Sequence, residues 1–420
     1  MRNVAKAGLL LLIVSIPFAK PKLAIGGLHV ILPDFLFLIA AAALATALVG
    51  RKAKLRWTNG FAILLAYFAA MLASVLVAGN PGTAAPKLAS QVYLLSLPVL
   101  VDALIDNLDD LRRLFRAWLA GTAVSVAVGT AAVVVFAAGF DTSTIDFALH
   151  TFGTLPPGNY PRIESTFAYP AMLCNYLTVS LAILLICLHL RWVGSIAGYS
   201  LLVAILVTAA FTITPGLGGI AALIGAWLFV ALRNRARPLA IMCLAAGGVL
   251  AVAFVAVAVL APAVHPTAPF LIRLPGFDFP FAPSVRLMSW IEACKTSFEH
   301  PLFGTGVGSN PIAVPYVAPS GDFYVLTDAH NVFLNVAMHS GLVGLATILL
   351  LIGFVARQMR PWLFTDTNAI AFWLSFAWLN AFAYQGLTGS YEDARHVWLL
   401  LGLLIAAVRL QSQPLGERAA

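Results

Sequence analysis

The stretch TDAHNVFLNVAMHSGLVG, residues 327–344, sets His330, Asn331, Asn335 and His339 at the mouth of a long apolar run. Asn331, Asn335 and His339 are spaced by four, so on a helix they stack on one face. At 1.5 Å per residue that stripe descends about 12 Å. Polar groups in lipid are costly, so the stripe must face a cavity or other helices. Thr327 or Asp328 is placed to cap a helix beginning near Ala329. His330 then falls in the first turn, where the helix dipole disfavours imidazolium and favours a neutral ring able to take a proton. General-base work on a hydroxyl suits such a ring, and a histidine satisfied by a carbonyl at a helix start is the ordinary alternative. Gly341 and Gly344 read as small residues for close helix packing.

Two arginines have the chemistry to meet phosphate. Arg286 opens VRLMSWIEACKTSFEH, which reads as an amphipathic helix with Leu287, Ile291, Cys294 and Phe298 on one apolar stripe. A cation in a first helical turn opposes the dipole, so helix stability alone does not ask for it. Beside free backbone N–H groups it is well placed to hold phosphate, with an ion pair to Glu292 or a lipid headgroup as the competing reading. Arg162, in PPGNYPRIEST, is the single cation of its loop and is followed by Glu164. The glycines of HPLFGTGVGSN read either as an anion-binding nest or as a plain turn. GSYEDARHVW carries Glu392, Asp393, Arg395 and His396, explained by capping from Ser390 or Asp393 and an ion pair, or as lining of the same mouth.

The elements that must position these groups are transmembrane helices. Hydrophobic residues make up 61% of 420 and charged residues 10%, and most stretches between polar punctuation are long enough to cross a bilayer. Without alternation, and with much Ala and Leu, the runs exclude a barrel. The fold class is an all-α polytopic integral membrane protein with about 12 spans, near 7–19, 34–50, 60–79, 88–105, 117–139, 167–190, 195–213, 217–232, 239–261, 331–355, 367–386 and 396–410. Three regions follow: spans 1–9 over 1–261, a loop over 262–330 carrying the amphipathic helix, and spans 10–12 with a short tail over 331–420. With the N-terminus inside, 17 of the 25 Lys and Arg lie on the cytoplasmic side and 8 outside, which places both termini in the cytoplasm. Topology thus accounts for most of the +8 net charge, and no basic run interleaved with aromatics points to nucleic acid. The four cysteines have neither disulfide-framework nor metal spacing.

In order, the pieces are PRIESTF, then VRLMSWIEACKTSFEHPLFGTGVGSN, then AHNVFLNVAMHSGLVG. Together they resemble the shared region of the O-antigen ligase and O-antigen polymerase superfamily of bacterial envelope glycosyltransferases, with O-antigen ligase the nearer member. Two departures stand out: His339 occupies a position where the family commonly has Glu, and Thr214-Pro215 stands where it often has Ser-Arg. The resemblance implies a metal-independent transferase without cofactor, in the inner membrane of a Gram-negative bacterium, acting in lipopolysaccharide biosynthesis. Its donor is a glycan on undecaprenyl pyrophosphate and its acceptor a sugar hydroxyl of lipid A–core, with membrane lipids around both. Arg162 and Arg286 are expected to take the charge of the leaving pyrophosphate, and His330 to act as the general base. Asn331, Asn335, His339 and Arg395 are expected to line the substrate site, with Asn331 orienting the ring of His330. Arg273, Lys295 and Arg395 are cations suited to a phosphorylated core, and the lack of an appended soluble domain favours ligase over polymerase. A secondary transporter is the alternative from another class, but internal repeats and midplane charges are absent from the sequence.

Overall fold

The computed structural model describes residues 1–25, 28–78, 81–140, 145–150, 162–260, 285–317, 323–359 and 370–412. The described chain is helical almost throughout. Its helices are α1 (Arg2–Ser15), α2 (Leu32–Val49), α3 (Asn59–Ala78), α4 (Pro81–Leu104), α5 (Leu108–Ala137), α6 (Pro170–His189) and α7 (Ser195–Ala210), then α8 (Leu217–Arg233), α9 (Arg237–Leu260), α10 (Val285–Glu299), α11 (Val332–Met359), α12 (Ile370–Trp378) and α13 (Arg395–Ser412). Six of these, α2 to α6 and α11, are long and apolar enough to cross a membrane. Two short antiparallel strand pairs, β1 (Leu23–Ile25) with β2 (Leu28–Val30) and β3 (Val314–Val317) with β4 (Phe323–Leu326), and short 3-10 and π-helical turns at Asp146–Ala148, Leu379–Tyr384 and Gln385–Leu387 are also described.

Charged residues sort to the two ends of the bundle. At one end Arg2, Lys6 and Arg56 converge on Asp106, Lys6 also reaches Asp110 (2.6 Å), and Arg409 pairs with buried Asp102 (3.0 Å). At the other end of α4 and α13, Lys87 pairs with Asp393 (2.5 Å) and Arg395 with Asp34 (2.9 Å). Between them α6 is buried on nearly all sides, with Trp118 stacked on Tyr176 and Trp227 on Trp373 (ring centroids 5.5 and 3.8 Å). A helix apolar all round belongs in the centre of such a bundle.

Two local expectations are corrected. Helix α11 begins at Val332 rather than near Ala329, and its cap is Asn331, whose Oδ1 accepts from the N–H groups of Phe333 (3.0 Å) and Leu334 (3.2 Å). The helix also breaks at Gly341 (φ 62°, ψ −163°), a backbone shape that only glycine adopts readily. A Cβ there would lie 2.2 Å from the carbonyl oxygen of Leu302, because the 301–306 turn docks on the break. The N–H groups of Leu342 and Val343 donate to Pro301 and Leu302, and those of Thr305 and Gly306 donate to Met338 and His339. With these N–H groups consumed, the glycine turn is structural and not an anion nest. The apolar stripe read from the sequence of α10 is present: the helix buries Ser289, Ala293 and Thr296 and leaves Leu287, Ile291 and Phe298 exposed. The reason is Trp290, whose indole N–H donates to the Ala329 carbonyl (2.8 Å) and turns the small-residue face toward Ala329 and Met338.

Candidate active site

His330 lies outside the helix, two residues before α11, with φ at +50°. Its first-turn dipole environment is therefore not realised. What holds it is Asp328, which folds into an Asx-type turn: its Oδ1 accepts the backbone N–H of His330 and faces the ring Nδ1 at 3.1 Å. The same carboxylate accepts from Asn335 Nδ2 (3.1 Å) and from the Ser390 hydroxyl (2.6 and 2.8 Å). Burial alone pushes the Asp328 carboxyl up, but the hydrogen bonds from His330 and Ser390 outweigh it and hold the group well below the usual carboxylate range. An ionised Asp328 can only accept, so Nδ1 is the ring nitrogen that donates to it, and in the neutral tautomer this leaves the lone pair on Nε2. The side chain that faces the ring is Asp328 rather than Asn331, and a carboxylate on one ring nitrogen is the arrangement by which a histidine base can be oriented. Asn331 donates to the Leu387 carbonyl (3.2 Å) and is spent on capping.

Asn335 is the joint of the site. Its Oδ1 accepts from the Ala329 N–H (3.0 Å), and its Nδ2 reaches Asp328, Ser390 (3.1 Å) and Glu392 Oε1 (2.9 Å). Glu392 is buried and its carboxyl is raised well above the ordinary carboxylate range, by burial first and then by the charges of Asp393 and Asp328. His339 sits one turn deeper, its Nδ1 3.3 Å from the Gly306 carbonyl oxygen, and lines a cavity with Asn335 and Glu392.

The arginines approach from two other loops. Residue 162 is pinned on both sides: its carbonyl accepts from the His150 N–H (2.8 Å), and the next N–H, of Ile163, donates to Phe211 (3.1 Å). Arg162 Nε donates to the Thr212 carbonyl (3.3 Å), so a guanidinium stands at the turn that carries Thr214-Pro215. Burial first, then the repulsive charge of Arg286, lowers its pKa, with the charge of Glu164 acting in the opposite direction. Glu164 makes its ion pairs with Lys20 and His150, and none with Arg162 among the described residues. Nor does Glu292 pair with Arg286; it pairs with Lys295 (2.7 Å). Burial raises the Tyr391 hydroxyl above its ordinary value, and the charge of Arg286 opposes that rise.

Of the remaining expected site residues, Arg395 is placed elsewhere. Its guanidinium is held by Asp34 (3.0 and 3.2 Å) and the Tyr93 hydroxyl (3.1 Å), a structural clamp between α2, α4 and α13. Lys295 is likewise paired, and Arg273 lies outside the described residues. Asp328, Ser390 and Glu392 were not among the expected site residues. Asp two positions before His is the sequence signal of an Asx turn, and it reads equally well as a helix cap.

The described chain is a helical bundle with six helices long and apolar enough to cross a membrane, and it carries an Asp-held histidine and two arginines that form no ion pair among the described residues. Residues 200–349 match the family model described as O-antigen ligase, and this match supports the O-antigen ligase superfamily, a glycosyltransferase-like enzyme family, for the chain. The matched segment contains Arg286, His330, Asn335 and His339, while Arg162 and Glu392 fall outside it. No curated protein matches the chain.

Proposed function

We propose that the chain is an O-antigen ligase that moves a glycan from undecaprenyl pyrophosphate to a sugar hydroxyl of lipid A–core, on the periplasmic side of the inner membrane. The observation that carries the reading is the Asp328–His330 pair standing in the family-matched segment together with Arg286. Nε2 of His330 takes the proton of the acceptor hydroxyl, whose oxygen attacks the anomeric carbon of the donor. The anomeric C–O bond breaks and undecaprenyl pyrophosphate departs with the bonding electrons. Arg162 and Arg286, which repel one another in the free site, gain a shared anion as that charge develops. Asp328 stabilises the imidazolium that forms and returns to its resting pairing when the proton leaves.

Twelve crossings with both termini cytoplasmic are part of the proposal, and the sorting of the Arg2–Asp106 and Lys87–Asp393 clusters to opposite ends of α4 supports it. The exposed apolar face of α10 suits a helix resting at the boundary between bilayer and water. Purified protein in proteoliposomes, given undecaprenyl-pyrophosphate-linked glycan and lipid A–core, tests the reading. Glycan-capped lipid A–core is the expected product. Elongated undecaprenyl-linked chains with bare core would identify a polymerase instead, and net solute flux without transfer would restore the transporter reading.

A further inference from the structure

A cavity of about 210 Å³, several water volumes, opens beside the reacting histidine. It is walled by Tyr67 and Met71 of α3, Lys87 and Gln91 of α4, Asn335 of α11, Asp328 and Glu392. Asp328 separates it from His330, so the cavity adjoins the ring's Nδ1 side and not the Nε2 side where a proton is taken. Two of its wall residues carry an unusual atom. Gln91 Oε1 and Glu392 Oε2 are both buried and have no hydrogen-bond partner among the described residues. Their residues are 1% and 8% exposed, yet each is already fixed by its other atom: Gln91 Nε2 donates to Asp393 (2.9 Å), and Glu392 Oε1 accepts from Asn335 (2.9 Å). Buried polar atoms held rigid without a partner are rare, and at a cavity wall they mark where a ligand's groups go.

We propose that this cavity is a subsite for one uncharged pyranose ring of a glycan substrate, with hydroxyls on Gln91 Oε1 and Glu392 Oε2 and an apolar ring face toward Tyr67 and Met71. The charges select a neutral ring. Lys87 is neutralised by Asp393 at 2.5 Å, and Asp328 remains as a fixed anion in the wall, which repels a phosphorylated or acidic sugar. Size selects a single ring rather than a disaccharide. The ring bound here is not the one that reacts, because Asp328 stands between. It belongs either to the donor glycan or to the acceptor oligosaccharide, and that assignment rests on the proposed transfer reaction; the binding itself does not.

Saturation-transfer NMR on the protein in sugar-free lipid nanodiscs, against a panel of neutral methyl pyranosides, tests binding without requiring turnover. At least one pyranoside should receive saturation from wild-type protein and equally from His330→Ala. Gln91→Met should weaken that signal, and Met71→Trp, which fills the cavity without touching the hydrogen-bond network, should abolish it. In the transfer assay Gln91→Met should raise KM about 3–10-fold, the loss of a hydrogen bond between neutral groups, with kcat within twofold. A rise confined to the lipid-linked donor assigns the ring to the donor glycan, and one confined to lipid A–core assigns it to the acceptor. No signal for any pyranoside, meaning a cavity filled by water only, or a signal unchanged by Met71→Trp in folded protein, would overturn the proposal. Pyranoside binding in a protein that transfers nothing would leave the subsite standing and remove the ligase reading instead.

Discussion

Replacing Asp328 by Asn keeps the size of the side chain and removes the charge that faces His330. During reaction the ring becomes imidazolium with a carboxylate oxygen 3.1 Å from Nδ1. Two unit charges about 4 Å apart attract by roughly 4 kcal/mol at an effective dielectric of 20. The side chains of His330 and Asp328 are 39% and 37% exposed, so solvent screening reduces this. What remains is about 1.5–3 kcal/mol, the range of a hydrogen bond to a charged group. The expected result is a fall in kcat of about 10–150-fold with KM little changed, since the interaction strengthens only as the proton is transferred. Because the two residues act as a unit, Asp328→Asn should cost little more in a His330→Ala background. The assay is single-turnover transfer in proteoliposomes, with melting of the purified variant recorded in parallel because Asn335 and Ser390 also donate to Asp328. Wild-type kcat in folded Asp328→Asn protein, or a full additional loss on top of His330→Ala, would refute the pairing as the source of basicity.

Arg286→Lys and Arg162→Lys should each retain part of the activity and the Ala variants little, because Lys keeps charge but not the bidentate fork; full turnover by Arg286→Ala would remove it from the site. Glu392 is a carboxyl with a raised folded-state pKa, so folded protein holds a proton that the unfolded chain gives up. Its contribution to stability is present below the ordinary carboxylate value of 4.5 and is lost as pH rises toward about 8. Melting temperature should therefore fall across that window in wild type and fall less in Glu392→Gln, and parallel curves would contradict the assignment. Gly341→Ala should cost about 1–3 kcal/mol in backbone strain alone. Its Cβ also meets the Leu302 carbonyl, so the melting temperature should drop by several degrees; an unchanged value would place the break elsewhere.

The helices were legible because lipid leaves few alternatives: a long apolar run must satisfy its own backbone, so composition alone marks it. Loop chemistry was legible only in part. Arg286 and His330 announce themselves as polar groups beside apolar sequence, yet the spacing of Asn331, Asn335 and His339 suggested a continuous stripe that the fold divides. Asn331 is drawn off as the helix cap, while Asn335 and His339 stay on one face; beyond them Gly341 breaks the helix where a separate turn docks, a tertiary event with no local signature. The partner of the α10 stripe was not legible, because an apolar stripe looks the same whether it meets a protein core or a bilayer. Glu392 was legible only as part of a segment that caps a helix or lines the mouth. Its protonation and its tie to Asn335 depend on Asp328 and Asp393 being brought together by segments that are distant along the chain.

The central claim is that His330 takes the acceptor proton, and the most direct measurement is the glycolipid profile of cells whose own copy of the gene is replaced by the His330→Ala variant. Loss of a general base typically lowers rate by about 10²–10⁴-fold. The expected profile, with protein levels unchanged, is full-length glycan retained on undecaprenyl pyrophosphate beside bare lipid A–core. Core capped with a single repeat would instead mark a polymerase defect, and wild-type amounts of fully capped lipid A–core would contradict a catalytic role for His330.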